Sequence, residues 1–426
     1  MYEFINNIGK EEYENFIRNS NYTHFMQSYD FGKIREYKGF IPHYVGLKKD
    51  NKIVCAALIL EKKLVFGYSY FYSPRGYVID YNDRELLKIF TEELAKFAKT
   101  RKAIYTKIDP GIKLHTIDQD GNEISGEKNY DLVEYLKEIG YKHLGYNLGF
   151  EHEQPRFTFR IDLDGDWNTI YQRMHPTTRK ILNKGNQYNL EVYKGDMNDI
   201  KDFYITMIET AKREGIIQSP IEYYKEFYKI FNEDNLSDMY IVKANIKNLI
   251  ENFENKISNV EIEINKLNSE QYKNKEKNQN KLNDLNNQIN KLNKQLEEIK
   301  KITDKEVVLS SIITVKYKDK VWTVHGGNNS ILMELNANYL CYYTIMKDAY
   351  DEGYKIMDCF GTCGIANPDK SNPIYGIHSF KKRLGGEYIE FIGEFDYINK
   401  KFLYKLFLIA LKFHRKLSRI KQKRKN

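Results

Sequence analysis

A chain of 426 residues with 41% hydrophobic content has the length for two or three domains, each with a packed core. Lys and Arg total 67 against 59 Asp and Glu, a formal charge of +8, a modest excess whose placement matters more than its sum. The four cysteines, Cys55, Cys341, Cys359 and Cys363, form no CxxC pair, which argues against a zinc knuckle or disulfide framework and for reduced, buried thiols. The N-terminus has no apolar signal-peptide core, and no apolar run approaches the roughly 18 residues of a membrane span. The expected location is the cytoplasm.

In chain order, residues 43–48 and 53–61 are β-branched and apolar and read as a hairpin around Asp50-Asn51. Residues 64–72 are aromatic and strand-like, and Ser73-Pro74-Arg75-Gly76 is a turn. Apolar residues at 86, 87, 90, 94, 97 and 98 have the period of an amphipathic helix over 84–100. A short strand over 103–108 ends at Asp109-Pro110, and a helix over 132–139 stops at Gly140. A second, similar series follows. It has strands at 157–163, 239–244, 307–317, 320–325 and 356–358, and helices at 167–182, 200–214, 221–232 and 336–352. Within the first of these helices, His175-Pro176 starts a second one. Two successive units of mixed helix and strand predict an α/β (α+β) chain with a duplicated fold.

Between 244 and 307, Gly and Pro vanish and Asn, Lys and Glu dominate. Ile250, Phe253, Ile257, Val260, Ile264 and Leu267 repeat at 3-4-3-4-3 spacing, as do Leu282, Leu285, Ile289, Leu292, Leu296 and Ile299. Each set is a heptad seam on one helix, and together they predict an antiparallel coiled-coil hairpin over 246–304, inserted in the second unit. The other reading of the seam is dimerisation between chains. Residues 400–426 hold eleven basic residues and no acid, which leaves the rest of the chain slightly acidic. Apolar residues interleave with these bases over 402–420, so this end reads as a basic amphipathic helix that closes the fold or touches an anionic membrane surface.

Several local stretches are similar to those of the Fem family of aminoacyltransferases. They are Phe25-Met26-Gln27-Ser28 with Lys33, Pro74-Arg75-Gly76, Lys107-Ile108-Asp109-Pro110, Thr210 with Arg213, Gly326-Gly327, Asp358-Cys359-Phe360-Gly361, and Phe380-Lys381-Lys382 before Gly385-Gly386. Each is short; their order and spacing around the predicted arm carry the resemblance, from about residue 20 to the C-terminus. It implies two tandem acetyltransferase-like domains: 1–155, completed by about 390–426, and 156–389, with the arm in the second. It further implies transfer of an amino acid from aminoacyl-tRNA to an amine on the stem peptide of a lipid-linked or UDP-linked muropeptide, and an arm that contacts tRNA. That last role sits against eleven Lys and ten acidic residues in 246–304, a nearly neutral arm.

An aminoacyl ester is already activated. Attack by an amine needs alignment, a neutral nucleophile and charge stabilisation at the oxyanion, with no cofactor, metal or covalent intermediate. By resemblance, Lys33 and Arg213 contact the acceptor, and Asp109 orients or deprotonates its amine. Tyr105 and Lys107 share a strand face with Asp109 by two-residue alternation and are expected to line the same cleft; Tyr224 borders it. Phe380 and Lys382 are placed at the donor tRNA end, and Lys381 at the oxyanion. His325 stands where relatives are expected to carry a tyrosine-like residue, which puts its role in doubt. The plainer readings are a solvated Lys33, a turn-forming Asp109, an Arg213–Glu209 ion pair, and a surface cluster of Lys381, Lys382 and Arg383. Two other classes compete. An acyl-CoA N-acyltransferase would need a pyrophosphate loop that Gly361-Thr362-Cys363-Gly364 does not match, and a non-catalytic RNA-binding scaffold would leave the site residues unexplained.

Overall fold

The structure is a computed structural model, described here over residues 1–149, 153–185, 188–269, 275–372 and 374–411. Two sheets organise it. The first runs in the order β1 (Tyr2–Ile5), β2 (Ile41–Lys49), β3 (Lys52–Lys63), β4 (Ser69–Ser73), β5 (Ala103–Ile108), β16 (Phe395–Ile398) and β8 (Tyr141–His143). The second runs β10 (Glu191–Gly195), β11 (Met239–Asn245), β12 (Glu306–Tyr317), β13 (Lys320–Asn328), β14 (Ile356–Asp358), β9 (Phe157–Asp162), β15 (Glu387–Phe391), β6 (Lys113–Ile117) and β7 (Glu123–Lys128).

Local chemistry explains many boundaries. Asp50 and Asn51 both adopt positive φ, 52° and 61°, the two-residue turn that suits the twist of a β2–β3 hairpin. Asp83 caps helix Arg84–Thr100 by accepting from the Leu86 N–H, and the face Leu86, Leu87, Phe90, Leu94, Ala98 is buried. Gly215 ends helix Ile200–Glu214 in the left-handed conformation. Gln27 is fully buried and acts as a bolt: its amide donates to the Pro74 carbonyl and the Ser73 hydroxyl and accepts from the Leu58 N–H. Ser28 caps helix Tyr29–Tyr37 through the Phe31 N–H.

The structure departs from the sequence reading in two places that bear on the sheets. The expected strand over 64–72 starts only at Ser69, because Val65–Gly67 is a tight turn with Phe66 at φ 58°. Strands β6 and β7 were not expected, and they join the second sheet, so the sheets do not respect a boundary at residue 155. At the other end, β16 returns to the first sheet between β5 and β8. An apolar layer joins the two sheets: Phe25, Phe31 and Tyr72 share one cluster with Phe227, Phe231 and Trp322. Large side chains buried this way contribute about 1.5–3 kcal/mol each, enough to hold the two halves as one body.

Two long helices, Ile246–Ser269 and Lys275–Lys300, leave and re-enter the second sheet between β11 and β12. Those strands are paired neighbours up to Asn245 and Glu306, and the Ile246 N–H donates to the Lys305 carbonyl, so the helices rise from a closed base. Leu249, Phe253, Ile257, Val260 meet Leu285, Leu292, Leu296, Ile299 in the buried cluster, and Lys300–Glu254 and Lys281–Glu263 ion pairs bracket the packing. The neighbouring strand ends predict that residues 258–291 are dispensable for folding. With a short Gly-Ser linker in their place, thermal unfolding should remain a single cooperative transition; a split or lost transition would show that the outer helices hold the rest together.

Candidate functional site

The polar groups of interest gather at the C-terminal ends of strands: Asp109 after β5, Asn328 at the end of β13, Phe360 just past β14. Strands β4 and β5 are parallel, as are β13 and β14, and crevices beyond the carboxyl ends of such strands are common ligand sites.

Asp109 is buried. One carboxylate oxygen accepts from the Tyr72 hydroxyl at 2.9 Å and the other from the Arg75 N–H at 2.7 Å. Burial pushes its carboxyl up to about 7, against the pull of the Arg75 charge and with a further push from Glu394. The parallel register sets Ser73 opposite Ile108, which is why the Pro74-Arg75 turn arrives beside Asp109. Tyr72 and Arg75 were not chosen from the sequence as site residues; the Pro74-Arg75-Gly76 stretch was the available signal.

Lys381 is also buried. Its ammonium donates to the Phe360 and Gly361 carbonyls, the latter at 2.7 Å. Desolvation lowers its pKa to about 8, with Cys359 and Asp358 opposing. Two of its three hydrogens are committed to backbone carbonyls, which orients the third. The surface-cluster reading therefore fails for Lys381. Phe360 packs in the same apolar layer as Tyr72, so that layer links the surroundings of Lys381 and Asp109.

Lys33 lies half-exposed on helix Tyr29–Tyr37 with Asp30 at 3.2 Å. That helix meets helix Ile221–Glu233: Tyr37 packs on Tyr223, and the Lys38 ammonium sits 4.0 Å from the Tyr223 ring centre and 3.0 Å from the Ser219 hydroxyl. Arg213 pairs with Glu214 at 2.9 Å rather than with Glu209, whose partner is Lys212, and donates to the Asn328 carbonyl at 3.3 Å. Thr210 grips the same residue, and Gly327 has room for no side chain, since a Cβ there would stand 2.5 Å from the Thr206 carbonyl group. Tyr224 is buried and its hydroxyl donates to Gln218. His325 is enclosed by the edges of Tyr223, Tyr224 and Phe227, and burial lowers it to about 4, so its ring is neutral.

Three expectations change. Tyr105 does not line an opening, because its ring is stacked on Tyr70 and covered by Tyr404 and Phe407. Lys107 is held in buried ion pairs with Glu394 at 2.9 Å and Asp396 at 3.1 Å. Alternation gave the correct face for both, but a helix over 401–411 lies on it. Phe380 is wedged edge-on against Tyr339 and Tyr342, 4.7 and 4.8 Å between centres, which occupies its ring.

Lys382 faces a cavity of about 570 Å³ that Arg173, His175, Arg179 and Arg383 also line, with no acidic residue among the described residues of its wall. Asp120 and Asn367 hold the Lys382 ammonium at 2.8 and 2.9 Å. A cavity of about 660 Å³, bordered by Arg75, Arg160, Lys320 and Trp322, contains none of the residues chosen from the sequence. Among the described residues no helix is long and apolar enough to cross a membrane.

Fold and site together define a mixed α/β protein with two sheets fused through an apolar layer, and with a near-neutral carboxyl and a desolvated lysine at the strand ends. The FemAB family model matches residues 8–412, and the chain belongs to that family. It is 27% identical over 412 residues to the lipid II:glycine glycyltransferase of Staphylococcus aureus strain MRSA252, covering 94% of each chain. The same figures hold for the protein of that name from strain NCTC 8325. The crystal structure of FemX superposes with a TM-score of 0.74 at 26% identity, covering 95% of this chain and 99% of that one.

Proposed function

We propose that this chain is an aminoacyltransferase that moves an amino acid from aminoacyl-tRNA to the stem-peptide amine of a peptidoglycan precursor, lipid-linked or UDP-linked. The observation that carries the reading is the match along 94% of both chains to proteins named for glycyl transfer onto lipid II. The finer architecture is part of the same reading: two acetyltransferase-like domains, with the paired helices of 246–304 as a coiled-coil arm.

In the proposed reaction the acceptor nitrogen attacks the aminoacyl carbonyl carbon. The C–N bond forms and the ester bond to the terminal ribose breaks. Asp109 takes the amine proton, and a proton returns to the departing ribose oxygen. Lys381 donates its third hydrogen to the tetrahedral oxyanion. Lys33 and Arg213 hold acceptor phosphate or carboxylate groups. The cavity that Arg173, Arg179, Lys382 and Arg383 line suits the phosphates at the donor's end.

The direct test is to offer the protein glycyl-tRNA, other charged tRNAs and acetyl-CoA together with lipid II or a UDP-muramyl peptide. A product one amino acid heavier, formed only with a charged tRNA, supports the reading; an acetylated product replaces it with the acyl-CoA reading. For the acceptor residues, Lys33→Met and Arg213→Met should each raise the acceptor KM about ten- to a hundredfold, the size of one charged hydrogen bond, with melting unchanged. Unaltered acceptor kinetics in both would remove them from the site.

A further inference from the structure

Two apolar features on the rim of the first sheet are turned to solvent. The turn between β3 and β4 is closed by the Leu64 N–H donating to the Tyr68 carbonyl, and its tip presents Phe66, 90% exposed, beside an exposed Val65. Next to it lies the helix over 401–411. Its inner face, Leu403, Tyr404, Phe407 and Leu408, packs with Leu64, Tyr68, Tyr70 and Tyr105. Its outer face carries Phe402, 73% exposed, with Leu406 and Ile409 at helical spacing of four and three. A helix that is apolar on both faces needs a second partner, and a phenylalanine on a turn tip is a costly ornament for a surface facing only water.

The charge around these groups identifies the partner. Lys400 lies 5.8 Å from the Tyr68 ring centre, and Lys401 and Lys405 are exposed on the helix. The sequence continues through Lys412, Arg415, Lys416, Arg419, Lys421, Lys423, Arg424 and Lys425 with no acid after residue 396. Apolar tips interleaved with long basic side chains suit the boundary of an anionic bilayer, where rings enter the acyl edge and ammonium groups stay among the headgroups. We propose that the Val65–Gly67 turn and the outer stripe of the 401–411 helix form a docking surface for an anionic lipid bilayer.

The surface is tied rigidly to the candidate base. The Tyr404 hydroxyl donates to Asp396 at 2.6 Å, Asp396 and Glu394 hold Lys107, and Lys107 lies on β5, which leads into Asp109. Docking through this helix would therefore set Asp109 at a fixed position relative to the membrane and to an amine carried on a lipid-linked precursor. That purpose rests on the acceptor proposed above; the surface itself does not.

The test is co-sedimentation of the full chain with vesicles of phosphatidylcholine, with and without phosphatidylglycerol. Binding is expected only with phosphatidylglycerol and should weaken as salt rises. The triple variant Phe66→Ser, Phe402→Ser, Ile409→Ser should bind these vesicles at least about ten- to a hundredfold more weakly, since each ring or branched chain is withdrawn from an apolar phase. Its melting temperature and its activity on a water-soluble acceptor should match wild type. Absence of binding by the wild type, or equal binding by the variant, overturns the proposal. So does a concentration-dependent dimer without vesicles that the variant abolishes, which would make this face a contact between copies. Transfer to a soluble acceptor is read separately, so the surface and the reaction can fail independently.

Discussion

Replacing Lys381 with Met should lower turnover by about a hundred- to a thousandfold, the usual loss when a preorganised oxyanion donor is removed, while both substrates still bind. The expectation rests on how the ammonium is held. It is desolvated, which strengthens its field on a nearby oxyanion, and two carbonyls, of Phe360 and Gly361, fix its direction. The same two bonds raise the competing possibility that Lys381 is a strut for the Phe360 turn, where φ is 50°. Two measurements separate the roles. Met leaves two carbonyls without their donor, at about 1–3 kcal/mol for a buried unpaired group, but relieves the desolvation cost of a buried charge, so the melting temperature should move little. Near-normal turnover with a large fall in melting temperature would make Lys381 structural and leave the oxyanion to another donor.

The second large effect is a pH profile. As a general base Asp109 works only after losing its proton, and burial places that step at about 7. As a charged donor Lys381 works only while it keeps its proton, and desolvation places its loss at about 8. Divided by the neutral fraction of the acceptor amine, the rate at low acceptor concentration should therefore rise through about 7 and fall above about 8, a narrow bell. Asn imitates the protonated carboxyl, so Asp109→Asn should differ little from wild type well below 7. The gap should open to about a hundredfold or more between the two values, the ordinary contribution of a positioned base. In Lys381→Met the alkaline fall should be missing. An Asp109→Asn deficit of equal size at every pH would show that the carboxylate serves by holding Tyr72 and the Arg75 N–H, not by accepting a proton. The stability sign follows from the same shift: the folded state holds the Asp109 proton more tightly than the unfolded chain, so this group costs the fold stability as pH rises from about 4 to about 7.

Much of the architecture was legible because it is written in short-range periodicity. The 3-4 spacing from Ile250 to Leu267 and from Leu282 to Ile299, the Asp50-Asn51 turn, the apolar period over 84–100 and the stop at Gly140 depend on residues within one or two turns of each other. The order of short motifs was likewise enough to name the family. Two-residue alternation also gave the right face for Tyr105, Lys107 and Asp109.

What covers a face is decided by contacts hundreds of residues apart, and no local pattern reports them. Lys107 reads as a cleft lysine until Glu394 and Asp396 arrive from the far end of the chain, and Tyr105 as a cleft tyrosine until Tyr404 lies over it. Residues 113–128 leave the first sheet to edge the second, because strand pairing is settled by which unfilled edge lies nearby. Lys381 differs from Lys382 by one position in sequence, yet one ammonium is desolvated against two carbonyls and the other meets Asp120 at the surface. The sequence by itself determined the elements, their order and the family. The tertiary structure alone decided which carboxyl is near-neutral, which lysine is desolvated and which apolar residues stay in water, because burial depends on the whole chain around a residue and not on its neighbours in sequence.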